Sequence, residues 1–337
     1  MNDVAKLAGV SQKTVSRVVN REAWVSEQTR QRVLKAVEKL GYQPDLAARG
    51  LRGARAYVIS LIYDNPNPYY IQALQEGALQ VCDELGFDLH IHPCHAHAQD
   101  LAGDLVNRYR RSRLSGMILT PPVSENAQVL QALDEAGANV VRILSASPEM
   151  SDDGMCVYVD DHHASYAITE HLILLGHTRI GFLWGDAEHR SSRARHRGYA
   201  DALRAYSIKE EEALVLRGDF SFEDGFRRAR QLFTLDPRPT AIFGANDEIA
   251  AGALVAARSI GLDVPHELSI AGFEDNPFAR QTWPPLTTAG QATENIASHA
   301  ARLLIEQTRE RPSHPASTKL FRPELVVRGS TSPPARR

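Results

Sequence analysis

The sequence predicts an all-α helix-turn-helix head followed by a two-lobed α/β body with parallel sheets. Three observations carry that prediction. Residues 3–20 show two short runs of helical apolar spacing separated by a Gly-Val corner, and from residue 56 onward short apolar strands alternate with amphipathic helices in two successive sets. The charge divides at the same point: residues 1–56 carry eleven Lys and Arg against five Asp and Glu, a net +6, leaving −9 on the rest of a chain whose total is −3. A basic head on an acidic body confines attraction for phosphate to one end, as a nucleic-acid reader requires. The 337 residues exceed one ordinary core and suit a small domain plus one or two α/β lobes, and 43% hydrophobic with 23% charged residues is an ordinary soluble composition.

In the head, the first helix is expected to bury Val4, Leu7 and Ala8, and Gly9-Val10 supplies the tight corner of a short inter-helix turn. Ser11 then caps a second helix. At about 100° per residue, Gln12, Lys13, Ser16 and Arg17 share an arc of roughly 140°, with Val15 and Val18 on the opposite side. Arg and Gln form bidentate hydrogen bonds to guanine and adenine edges, while Ser11, Thr14, Ser16 and Asn20 are short enough to hold phosphate oxygens. The competing reading is an amphipathic hairpin with a solvated basic face. A third helix displaces it, capped by Ser26, with Val33, Val37 and Leu40 on one stripe and Gly41 as the stop. The segment from Pro44 to Gly53 then sets Leu51 among basic residues, which suits a short helix that wedges a leucine into the minor groove. These features assign residues 1–44 to the head and 45–56 to a hinge.

In the body, strands are expected at 57–63, 87–92, 115–119, 139–143 and 156–159, with helices at 71–85, 101–111 and 127–136 between them. A second set has strands at 179–184, 213–217, 241–243 and 268–271, with helices at 165–175, 193–206, 222–233 and 248–260. A late helix at 292–308 is expected to return to the first lobe, and a strand at 318–327 to the second. The lobes then comprise 57–159 plus 289–315, and 160–288 plus 316–330. The Ser/Pro/Arg-rich tail 331–337 reads as disordered.

The three cysteines, Cys82, Cys94 and Cys156, are odd in number and lack C-x-x-C spacing, so they suggest neither a disulfide framework nor a structural zinc site. No apolar leader and no run of about 18 apolar residues is present, which predicts a cytoplasmic protein. The run from His90 to His97 offers imidazoles and a thiolate competent for zinc or copper. Polar residues at a strand's carboxyl end are also what a ligand cleft requires, and no second cluster completes a metal site, so no metal and no cofactor are expected.

In open α/β sheets a ligand binds outside the carboxyl ends of the strands, and between two lobes it binds in their cleft. Tyr69 and Tyr70, Arg195, Phe220, Asn246 with Asp247, and Glu274 with Asp275 all follow strands. Aromatic faces for C–H surfaces and charged or planar partners for hydroxyls make a sugar the fitting ligand. Core packing is the competing role for Tyr70, Phe220 and Trp283.

The anchor helix, the Val-Ser-x-x-Thr-Val-Ser-Arg-Val-Val-Asn core, the Gly-Tyr-x-Pro exit and the leucine hinge together resemble the lactose repressor (LacI/GalR) family of bacterial transcription regulators. The body carries matching landmarks in Leu175-Gly-His-Thr-Arg-Ile180, Gly244-Ala-Asn-Asp-Glu248, Ile270-Ala-Gly-Phe-Glu-Asp275 and Trp283-Pro-Pro-Leu-Thr-Thr288, so the resemblance spans nearly the whole chain. It implies a body like that of periplasmic sugar-binding proteins, with Arg195, Phe220, Asn246 and Glu274 where family members hold the effector, and Tyr69, Tyr70 and Trp283 as additions. It further implies a homodimer on a palindromic operator. Three departures stand out. The family usually has Asp at the position of Glu274, which leaves the exact sugar open. Few residues precede Asp3, from which a later-annotated start or slightly weaker DNA binding is expected. Gly50 replaces a commoner helix former, at about 1 kcal/mol relative to Ala, in keeping with a hinge helix that forms only on DNA.

The leading expectation is a repressor of carbohydrate-utilisation genes controlled by a sugar or glycoside. A purine co-repressor, a protein partner or an activator role stay open beside it. An enzyme is disfavoured because no Gly-x-Ser-x-Gly elbow, Walker loop, Gly-x-Gly-x-x-Gly fingerprint or His-Glu-x-x-His pair is present. A periplasmic carrier is disfavoured by the missing leader and by the head.

Overall fold

The computed structural model describes residues 1–19, 25–41, 57–65, 67–146, 154–308 and 319–335. They form two compact units, Met1–Tyr57 and Val58–Arg337.

The first unit contains α1 (Asn2–Ala8), α2 (Gln12–Val19) and α3 (Glu27–Lys39). Gly9 takes the left-handed conformation that ends α1, with φ 64° and ψ 40°, and Ser26 accepts the Thr29 amide to start α3. The core is Val4, Ala5, Ala8, Val15, Val18, Val33 and Ala36. Two residues expected in it are outside: Leu7 is 47% exposed and Leu40 is 45% exposed. Val4, Ala5 and Ala8 define the buried face of α1, which leaves Leu7 outside it, and Leu40 stands at the C-cap, past the last turn of α3.

The second unit begins with β1 (Val58–Tyr63), α4 (Pro68–Leu85), β2 (Asp88–Pro93), α5 (Leu101–Arg111), β3 (Gly116–Leu119), α6 (Ala127–Glu135), β4 (Val140–Ser145) and β5 (Met155–Val159). Strands β1, β3, β4 and β5 are mostly apolar and buried because helices cover both faces of a parallel sheet, whereas β2 at the edge is polar and largely exposed. The chain then crosses to a second set: α7 (Asp161–Leu174), β6 (Ile180–Leu183), α8 (Arg190–Ala205), β7 (Val215–Leu216), α9 (Phe222–Leu232), β8 (Ala241–Gly244), α10 (Asp247–Ser259), β9 (Ser269–Ala271), α11 (Pro277–Gln281) and β10 (Thr288–Gly290). Helix α12 (Thr293–Gln307) returns to pack beside α4 on the first sheet, and β11 (Lys319–Phe321) and β12 (Glu324–Val326) follow.

The first sheet has the order β11-β5-β4-β3-β1-β2 and the second β7-β6-β8-β9, with every pairing parallel. Helix α9 meets α10 closely because Gly225 lies against the Ile249 backbone and Gly252 against the Phe222 carbonyl, where any Cβ would collide. Two expectations fail here. The stretch 318–327 is two strands: β11 joins the first sheet beside β5, and β12 pairs antiparallel with β10. Pro323, which has no amide to donate, separates them. Of the tail, the described residues 331–335 begin with a docked segment. Ser332 donates its amide to Ser269 Oγ at 3.0 Å and its carbonyl accepts from His177 Nε2 at 2.9 Å, while His171 Nε2 lies 3.0 Å from Thr331 Oγ1. A polar composition therefore coexists with order where buried partners receive the backbone.

Candidate functional site

Helix α2 carries the candidate DNA-reading surface. Ser11 Oγ accepts the Thr14 amide at 3.2 Å and lies 3.0 Å from Thr14 Oγ1, which fixes the first turn. Gln12 and Lys13 are exposed, Thr14, Ser16 and Arg17 are half-buried, and Val15 and Val18 anchor the helix in the core. One side holds and the other is presented. Asn20 and Leu51 lie outside the described residues.

The second candidate is a cavity of about 50 Å³ between the lobes, with Tyr70, Arg195, Phe220, Asn246 and Glu274 in its lining. Arg195 is its hub and is 4% exposed. Its Nε donates to Asp161 Oδ1 at 2.8 Å and its Nη1 to the Ala245 carbonyl at 2.7 Å. Nη2 reaches Gln291 Oε1 at 3.5 Å, and the guanidinium carbon stands 3.8 Å from the centroid of the Phe273 ring. Glu274 enters from the turn after β9 with φ 108°, a region that costs a non-glycine residue roughly 1–3 kcal/mol. Its amide donates to the Ala289 carbonyl and its carbonyl accepts from the Gln291 amide, so β10 maintains that conformation. Across the cleft, Asn67 Nδ2 donates to Glu274 Oε2 at 3.2 Å, while Asn67 Oδ1 caps α4 by accepting the Tyr69 and Tyr70 amides.

Burial dominates the electrostatics. It raises Glu274 to about 7, with Asp161 adding to the shift and the Arg195 guanidinium opposing it. Burial and the neighbouring Glu274 and Asp161 carboxylates push the Tyr70 hydroxyl well above its ordinary range, keeping it neutral. Burial lowers His189, whose ring meets Phe220 edge-on at 5.3 Å. Burial also raises Asp247 well above the usual range, against the opposing hydrogen bonds from Thr288 Oγ1 and the Asn276 amide. At neutral pH the cleft thus holds one firm ion pair, Arg195–Asp161, and a Glu274 balanced between donor and acceptor forms, a combination suited to hydroxyl groups. Ser145 Oγ, buried and without a partner among the described residues, adds a further polar group on the wall.

The expected residues divide. Asn246 lines the cavity, but its Oδ1 accepts the Ile249 amide at 2.8 Å to cap α10 and its Nδ2 donates to the Phe220 carbonyl at 3.1 Å, so its polar atoms are partly committed. Tyr69 faces a neighbouring cavity of about 360 Å³ that shares Tyr70, Glu274 and Gln291 with the first, and its ring meets Phe278 edge-on. Trp283 is a correction. It is 77% exposed and lines neither cavity, because Leu286, fully buried and donating its amide to the Ala279 carbonyl, takes the core position of that turn. The charge on Arg195 needs no ligand to compensate it, since Asp161 does so.

Asp161, Asn67, His189, Gln291 and Ser145 escaped the sequence argument. Asp161 follows β5 as Arg195 follows β6, so the strand-end rule reaches it; Asn67 signals itself only as an Asn-Pro helix start. Among the described residues no group of three or more His, Cys, Asp or Glu side chains could hold a metal ion. In the His90–His97 run, Cys94 Sγ donates to the Tyr63 carbonyl and His97 stands 3.5 Å from Glu188 of the other lobe.

A helix-turn-helix head joined to a two-lobed α/β body with an interlobe polar cavity defines a DNA-binding transcriptional regulator. Residues 1–45 match the model for bacterial regulatory proteins of the lacI family, and residues 169–331 match that for a periplasmic binding protein-like domain. The chain is 34% identical to the HTH-type transcriptional regulator DegA of Bacillus subtilis (strain 168) over 98% of its own length and 97% of the relative's. It is 30% identical to the transcriptional repressor PurR of Haemophilus influenzae, with 98% of each chain covered. Among solved structures it resembles a CelR–cellobiose complex (TM-score 0.73, 28% identity) and the Lac repressor dimer bound to operator and the anti-inducer ONPF (TM-score 0.75, 28% identity), with 98% of each chain covered in both cases. The chain belongs to the LacI family, whose members are transcriptional regulators and not enzymes. No helix among the described residues is long and apolar enough to cross a membrane.

Proposed function

We propose that the protein is a cytoplasmic, homodimeric repressor of carbohydrate-utilisation genes whose operator affinity is set by a sugar or glycoside bound between the lobes. In this reading Gln12, Lys13 and Arg17 read base edges, Ser11, Thr14, Ser16 and Asn20 hold phosphates, and the hinge of residues 45–56 inserts Leu51 at a central base step. Arg195, Glu274 and Tyr70 engage ligand hydroxyls and Phe220 supplies the apolar face. The observation that carries the sugar reading is the convergence of Arg195, Glu274, Tyr70 and Phe220 on one cavity, with cellobiose bound by a structural relative as support. A cavity of about 50 Å³ admits only water-sized groups, whereas small-molecule sites span roughly 300–1,000 Å³, so binding requires the lobes or lining side chains to part. The neighbouring cavity beyond Tyr70 and Glu274 offers a glycoside room for its second group. A purine co-repressor is the second reading.

The test is calorimetric titration of the full-length protein with cellobiose, other mono- and disaccharides, and purines, followed by operator binding with and without each ligand. A sugar that binds and alters operator affinity supports the proposal. Binding by a purine alone replaces it with the second reading.

A further inference from the structure

Helix α8 carries Arg195, yet its own start is uncapped. His189 occupies the N-cap position without any side-chain hydrogen bond to the first turn. The missing acceptor comes from the other lobe: Glu125, in the turn after β3, receives the Arg190 amide on Oε2 at 3.1 Å. Helix starts leave amides that need acceptors, and a carboxyl group there also meets the positive end of the helix dipole. Oε1 of the same carboxyl is buried and has no partner among the described residues.

We propose that Glu125 is an interlobe latch, completing from the first lobe the N-terminus of the second-lobe helix that carries Arg195 and so setting how closed the cleft is. It is a positioning residue, since it lies outside the cavity lining and acts through α8. The proposal uses the interlobe cleft of the preceding section but needs no particular effector.

The groups facing Glu125 are Arg190 and Arg193 on α8 and Asp161 on α7; Arg142 of β4 donates to the adjacent Ser124 carbonyl, and the first two turns of α6 carry no charge. Burial with only one hydrogen bond outweighs the two arginines and raises Glu125 from 4.5 to about 6. An open cleft returns the carboxyl to water and its ordinary value. The closed form therefore binds the proton more tightly, and the latch tightens as pH falls through about 6. A protonated carboxyl still accepts through its carbonyl oxygen, so the Arg190 hydrogen bond survives.

The experiment is hydrogen–deuterium exchange of the full-length protein without ligand at pH 5 and pH 7.5, corrected for intrinsic exchange, read at the first turn of α8. Wild type should be more protected at pH 5. Glu125→Gln, a neutral isostere, should show the acid-form protection at both pH values. Glu125→Ala should exchange about five- to tenfold faster than wild type at pH 5, the effect of a lost cap, with no pH dependence of its own. The first turn of α10, capped within its lobe by Asn246, serves as the reference and should not change. Wild-type protection in the alanine variant overturns the latch, as does loss of protection shared equally with α10. A negative sugar titration leaves this measurement untouched.

Discussion

Arg195 and Asp161 form a buried ion pair, 2.8 Å from Nε to Oδ1, with side chains 5% and 3% exposed. The pair ties α8 to the start of α7 within one lobe, and Glu274 approaches the same guanidinium at 3.6 Å from the turn after β9. The candidate ligand residue is thus a structural member of its lobe before any ligand arrives.

Arg195→Ala should accordingly do two things. It should abolish the operator response to effector, and it should cost about 3–5 kcal/mol of stability, because Asp161 is left buried without its partner. Urea unfolding measures the second effect and operator binding with and without the bound sugar the first. Adding Asp161→Asn should recover part of the stability but none of the response. A variant that still responds normally places the effector elsewhere.

Glu274 predicts a pH signature. Its folded value of about 7 stands above the ordinary 4.5, so between those values the native protein holds a proton that the unfolded chain has released. Stability from this group is complete below about 4.5 and falls as pH rises through about 7, by up to roughly 3 kcal/mol. Glu274→Gln should flatten that part of the profile and gain on wild type at pH 8. Denaturant midpoints from pH 4.5 to 8 give the comparison, and a variant slope equal to the wild-type slope contradicts the assignment. Glu248, also raised to about 7 by burial, should leave a residual slope of the same sign.

The head predicts a selective effect. Arg17→Ala should weaken operator binding by about 1–3 kcal/mol and relax base preference at one position of each half-site, whereas Lys39→Ala at the end of α3 should leave the preference intact. Selection from a randomised operator library distinguishes the two. A preference unchanged in the Arg17 variant removes Arg17 from base reading.

The docked tail predicts a stability effect far from the cleft. His177, 1% exposed, bonds Thr240 Oγ1 through Nδ1 and lies 3.0 Å from Ser269 Oγ and 2.9 Å from the Ser332 carbonyl through Nε2. Burial lowers its pKa, so it serves as a neutral ring. His177→Ala removes the ring from this network, leaving Ser269 Oγ and the Ser332 backbone with only each other, and should cost roughly 1–3 kcal/mol by urea unfolding. Limited proteolysis should then cut the tail first, while equal cutting in wild type and variant would show that His177 does not hold it.

Local pattern determined much of this protein. Apolar spacing of 3.6 residues and alternation of short strands with helices are properties of neighbouring residues, so the three head helices, the two sets of βα units and the return of α12 to the first lobe were legible in the chain. The strand-end rule likewise located Tyr70, Arg195, Phe220, Asn246 and Glu274, because in a parallel sheet the carboxyl ends of the strands face one side whatever packs around them. What tertiary structure decided were competitions between distant residues for the same space or the same hydrogen bond. Leu7 lies outside the face of α1 that Val4, Ala5 and Ala8 bury, Trp283 yields to Leu286, and the start of the polar tail is docked by His177 and Ser269, far away in sequence. The pairing of Arg195 with Asp161 and the capping of α8 by Glu125 depend on side chains 34 and 65 positions apart. No local period encodes such distances; they exist only once burial has brought the elements together and left each polar group to find a partner.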